Sequence, residues 1–128
     1  MNQKKIFANK VLTYTFVVFL LCIGLDKLTQ TNLITNWQMI VGPIVHFLLP
    51  LSLGTVVMIE GAIEIGLGIL LVTKWKTYSL VLLVVTVLLV TIDLLILHHY
   101  NLAIHEVMFI AVLIAIRALD QEAMKSVE

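Results

Sequence analysis

The sequence predicts an all-α integral membrane protein, a four-helix bundle with a short helix or lid at one face between helices 1 and 2. Composition is the first reason: 61% of the 128 residues are hydrophobic and 12% charged, against about 45–50% and 25% in soluble chains. Segment length is the second, because four apolar stretches approach the ~20 residues that cross a hydrocarbon core about 30 Å thick. Charge placement is the third. Seven of the eight Lys and Arg residues fall on one side of a four-span arrangement, as the positive-inside rule requires.

The first span is expected from Ile6 to Leu28, with an uncharged run VLTYTFVVFLLCIGL from Val11 to Leu25 and Lys10 placed to snorkel. Its basic start resembles a signal peptide, yet no small-x-small cleavage site follows, so it reads as an uncleaved anchor. The second span is expected over Ser52–Thr73, the third over Thr77–Leu97 and the fourth over Leu102–Leu119. The KWK turn between the second and third is short enough to make them antiparallel neighbours. Lys4, Lys5, Lys10, Lys74, Lys76, Arg117 and Lys125 then share a side and only Lys27 lies opposite, which places both termini in the cytoplasm of a bacterial-type inner membrane.

The connection from Thr29 to Leu51 is long for so small a chain. It begins polar (TQTNLITNWQ), with Trp37 expected as an interfacial anchor, and ends apolar (MIVGPIVHFLLPL), with Pro43 and Pro50. Two readings stand: a short interfacial helix folded over Trp37–Leu51 as a lid, or an extension of the second span kinked at Pro50. The closing residues DQEAMKSVE read as a solvated helix end.

Several function classes fall away on composition. Eight Lys and Arg balance eight Asp and Glu, and aromatics make up 8% of the chain, so there is neither a basic face nor a stacking platform for nucleic acid. A single cysteine, Cys22, gives no dithiol for redox chemistry. No Ser/His/Asp arrangement calls for nucleophilic catalysis, and the Ser and Thr of the spans are expected to bond backbone carbonyls.

The ionisable groups inside the spans carry the functional expectation. Asp26 and Lys27 close the first helix at its outer end. Counting 1.5 Å per residue inward, Glu60 lies roughly 12 Å and Glu64 roughly 18 Å down the second helix. Asp93 falls near the outer end of the third helix, His98 and His99 follow at the surface, and His105 and Glu106 open the fourth. Such groups in hydrocarbon must face the interior, pair, bind a cation or take up a proton. Asp26, Lys27, Glu60, Glu64, Asp93, His105 and Glu106 are therefore the candidate ligand-binding residues of an outward-facing acidic pocket. Glu60 and Glu64, at i and i+4, share a face. Gly54, Gly61, Gly66 and Gly68 on the same helix predict close approach of a neighbour. Arg117 points along the bundle from the cytoplasmic end, to pair or to snorkel.

Four readings of these groups stay open. They bind a small amphipathic or cationic ligand; they form a quinone site; they hold a divalent metal through Glu60, Glu64, Asp93, His98 and His105; or they are structural carboxylates bonded to one another, to Thr86, to Thr91 and to tyrosines. Haem on His46, His98 or His105 is disfavoured, since these histidines sit at helix ends and in the loop. A proton or metal relay through Glu60 and Glu64 would make the chain a small transporter, with a dimer needed for a pathway.

At GLDKL (Gly24–Leu28) and EIGLGILLV (Glu64–Val72) the chain resembles the DoxX-like family of small four-span membrane proteins. The order of elements agrees over nearly the whole length: G-x-x-K-L, a proline-containing outer segment, an embedded Glu followed by glycines and leucines, a short turn and two more spans. The resemblance makes Lys27 and Glu64 the recurring polar positions. Where the family often opens its last helix with an Arg-Asp pair, this chain has His105 and Glu106, a titratable group in place of a fixed cation. The resemblance implies an accessory subunit of a membrane oxidoreductase system, such as a thiosulfate:quinone oxidoreductase or a thiol-stress complex. Its expected partners are membrane lipid, a small-molecule ligand, and a second copy or other chains of a complex. Catalysis by the chain alone is not expected.

Overall fold

The computed structural model describes residues 2–127, with side chains to residue 125. It is all-α. Helix α1 spans Gln3–Thr29, a 3-10 turn Trp37–Ile40 and the short helix α2 Pro43–Leu48 follow, and α3 (Leu53–Leu70), α4 (Lys76–Ile96) and α5 (Tyr100–Val127) complete the chain. Helices α1, α3, α4 and α5 are each long and apolar enough to cross a membrane. Their outward faces carry Val18, Val81, Met108 and Ile114, all more than half exposed, a surface that only hydrocarbon solvates without penalty. The chain is a multi-pass membrane protein.

The expected spans recur with shifted ends. Helix α3 stops at Leu70, where Thr73 Oγ1 donates back to Leu70 O at 2.8 Å and begins the turn. Helix α5 continues well past Leu119. Its final turns are not simply solvated: Lys5 pairs with Glu122 at 2.5 Å and Lys76 with Asp120 at 3.0 Å, so the end of α5 is tied to α1 and α4. Glu128 lies outside the described residues. Arg117 Nη1 reaches Thr77 Oγ1 at 3.4 Å.

Packing divides the bundle into two pairs, α1 with α3 and α4 with α5. Glycine explains the first. A Cβ added at Gly61 would lie 2.6 Å from Gly24 O, and one at Gly24 would lie 2.6 Å from Ile65 Cγ1 and 2.8 Å from Gly61 O. The two backbones therefore touch as only small residues allow. Along the seven-residue stripe a Cβ on Gly54 would meet the Gln30 and Gln38 side chains at 3.3 and 3.4 Å and one on Gly68 would meet Leu20 at 3.4 Å, whereas Gly66 beside it meets nothing. Near the KWK turn, Ser79 Oγ donates to Leu67 O at 2.6 Å and joins the pairs as antiparallel neighbours. Toward the terminal end the interior is solid, with Phe16, Leu67, Leu71, Leu83, Leu113 and Ile116 in one cluster.

The long connection is a separate lid and not a kinked extension of α3. Pro43 sits at N1 of α2, where its missing N–H costs nothing. A serine N-cap then restarts the chain at α3: Ser52 Oγ accepts from Thr55 N.

Candidate functional site

Two aspartates hold the lid. Asp26 Oδ1 accepts from Thr31 Oγ1 at 2.7 Å and Leu33 N at 2.8 Å, and Oδ2 from Ile34 N at 3.1 Å and Trp37 Nε1 at 2.7 Å. Asp93, on α4, accepts from Ile44 N at 2.8 Å and Val45 N at 2.9 Å. Gly42, the N-cap of α2, has no capping side chain, so a carboxylate from a distant helix satisfies the amides that a local cap would serve. Glycine is required there, because a Cβ on Gly42 would collide with Asp93 Cβ and Cγ.

Beneath the lid lies a cavity of about 410 Å³ between the two helix pairs, toward the lower end of the range of about 300–1,000 Å³ usual for small-molecule sites. Trp37, Ile40 and Val45 roof it; Lys27, Glu60, Glu64, His105 and Glu106 form its polar end; Phe16, Phe19, Leu83, Val87 and Phe109 line its apolar depth. The aromatic rings are mutually packed, Phe19 to Phe109 at 4.9 Å and Phe16 to Phe109 at 6.0 Å between centroids.

The polar end is organised by Lys27. Its Nζ donates to Glu64 Oε1 at 2.5 Å and to Glu60 Oε2 at 3.3 Å, and it lies 4.7 Å from the centroid of the Trp37 ring. The three side chains keep only 9%, 19% and 15% of their surface for Lys27, Glu60 and Glu64. Close approach of α1 and α3 at Gly24 and Gly61 brings this ammonium over the α3 carboxylates, for Gly61 packs against Lys27 Cβ. Glu106 reaches the same group electrostatically from α5. One atom stands apart: Glu64 Oε2 is buried and has no hydrogen-bond partner among the described residues. Native proteins rarely tolerate such an atom unless something else fills the vacancy.

Of the seven expected site residues, Lys27, Glu60, Glu64, Asp93, His105 and Glu106 line the cavity together. Asp26 does not line it and serves as a lid anchor, whereas Asp93 lines it while each of its oxygens also accepts one amide of α2. The metal candidates are not gathered: no group of three or more His, Cys, Asp or Glu among the described residues is placed to hold an ion. His98 Nδ1 instead meets Tyr100 Oη at 2.8 Å, and His105 Nδ1 meets Asn101 O at 2.7 Å. His46 Nε2 lies 3.1 Å from Leu51 O. Thr86 and Thr91 donate to Leu82 O and Val87 O and leave the carboxylates alone.

Sequence reasoning missed Trp37. Expected at the membrane surface, it is 8% exposed and joins the lid to both Asp26 and Lys27. The phenylalanines were also unremarked, although Phe16 and Phe19 stand at i and i+3 on one face of α1. Comparison of the chain with protein-family models, with curated proteins and with solved structures gives no match.

Proposed function

We propose that this chain is a membrane-embedded binding protein of the DoxX-like type, an accessory subunit whose lidded acidic cavity takes a small amphipathic or cationic ligand. The observation that carries the reading is the cavity's division into a charged end at Lys27, Glu60 and Glu64 and an aromatic depth at Phe16, Phe19 and Phe109. An amphipathic molecule matches both ends at once. The family assignment draws support from the 2.5 Å pairing of Lys27 with Glu64, the two polar positions on which the resemblance rests. The proposed orientation puts both termini in the cytoplasm of a bacterial-type inner membrane and the lid on the outer face. Either a second copy of the chain or a larger complex completes the assembly.

Native mass spectrometry after mild detergent release tests this. The expected result is a defined small-molecule mass on the wild-type chain that is lost in Glu64→Gln. Bare protein from both overturns it.

A quinone is the second reading, favoured by the packed phenylalanine rings, which suit a flat ring system beneath ionisable groups. It requires quinone-dependent turnover with a co-purifying donor subunit, and repeated absence of that turnover removes it.

A further inference from the structure

The polar end of the cavity is short of positive charge. Three carboxylates, Glu60, Glu64 and Glu106, face it with one ammonium, Lys27. His105, exposed on α5, stands at its rim, and Asp26 and Asp93 are committed to the lid. Unbalanced carboxylates do not persist inside a membrane protein, so protons or a further cation must complete the group. The geometry favours a cation. Lys27 serves Glu64 Oε1 and Glu60 Oε2, and Glu64 Oε2 is buried with no hydrogen-bond partner among the described residues. An N–H donor entering from the cavity satisfies that oxygen and supplies one of the two missing positive charges in the same step. Phe16, Phe19 and Phe109 line the apolar depth and bury the apolar body that carries that donor.

We infer that the ligand is a lipophilic ammonium ion: a protonated primary or secondary amine on a compact apolar body, its N–H groups on Glu64 Oε2 and the neighbouring carboxylates. This rests on the reading of the cavity as a ligand site. A fatty-acid-like anion is repelled by the three glutamates, and a quaternary cation lacks the N–H that Glu64 needs.

Three probes with one skeleton separate the possibilities: 4-phenylbutylamine, 4-phenylbutanol and 4-phenylbutyrate, measured by equilibrium dialysis against the protein in phosphatidylcholine nanodiscs, with empty nanodiscs subtracted. The amine is expected to bind saturably and at least about tenfold more tightly than the alcohol, with no saturable binding of the acid. Glu64→Gln brings amine and alcohol to within about twofold of each other, whereas Met108→Ala on the lipid-facing surface leaves the preference intact. Saturable binding of alcohol and amine with equal strength overturns the ammonium inference and leaves the cavity reading standing. Failure of all three probes overturns the inference as well, and a bare chain in native mass spectra would then remove the cavity reading with it. Should Glu64→Gln not fold, Glu106→Gln replaces it, and the amine-to-alcohol ratio of the wild-type protein decides alone.

Discussion

Asp26 and Asp93 hold the lid, and Glu60, Glu64 and Glu106 line the cavity beneath it. The aspartates accept from backbone amides and, at Asp26, also from a hydroxyl and an indole, so both are tied to the lid. The glutamates share one ammonium and leave Glu64 Oε2 empty. Side-chain length contributes to this division. The shorter aspartate sits close to the helix and can cap a segment laid against it, as serine or aspartate caps do locally. The longer glutamate crosses the space between helices and ends in the cavity. Buried acids in a membrane protein can therefore be sorted by what satisfies them: those with both oxygens bonded to a neighbouring segment hold the fold, and those left short are placed to bind.

The largest expected effect falls on the two lid anchors. Asp26→Ala strands two backbone amides, the Thr31 hydroxyl and the Trp37 indole, and should lower the unfolding midpoint in detergent more than any other single change. Asp93→Ala leaves the Ile44 and Val45 amides without a partner and should cost about 2–4 kcal/mol. Loss of ligand with unchanged midpoints in both variants would break the comparison.

Gly61→Ala comes next. Its Cβ meets the Gly24 carbonyl at 2.6 Å, so α1 and α3 must part, at about 1–3 kcal/mol. Gly66→Ala, with open space around it, should stay within about 1 kcal/mol of wild type and on the stabilising side. Parallel denaturant titrations of the two variants check the difference, and equal losses would contradict the close approach.

Glu64→Gln sharpens the comparison from the other side. Lys27 keeps Glu60 as a partner, so stability should change by about 1 kcal/mol while retained ligand disappears from native mass spectra. A collapse of the fold comparable to that of Asp26→Ala would place Glu64 among the structural acids. The smallest effect belongs to Lys5 and Glu122, whose side chains remain 50% and 44% exposed. A double-mutant cycle should return a coupling of about 0.2–1 kcal/mol that fades with salt.

Much of the fold is legible in the sequence, because a span announces itself by local apolar length. The four helices stand close to their expected positions, and the lid follows from Pro43 and Pro50 interrupting an apolar run. The ends are less legible. Helix α5 outlasts Leu119 because Asp120 and Glu122 find cations on α4 and α1, contacts with no signal in the local pattern. Within the site, Lys27, Glu60 and Glu64 are visible as rare charges at membrane depth on faces that the glycines mark as packed. Trp37 is not, since an aromatic at an interfacial position reads the same whether it anchors to lipid or turns inward.

By itself the sequence determined the solvent, the number of spans and the inventory of charges that hydrocarbon will not leave unpaired. These are properties of short windows, set by the thickness of a bilayer and the 1.5 Å rise of a helix. Only the tertiary structure decided which acid serves which purpose. Asp93 and the amides of α2 lie nearly fifty positions apart in the chain, and Lys27 and Glu64 nearly forty. Partners so remote are chosen by how the helix pairs pack, and that packing turns on two glycines letting α1 and α3 touch.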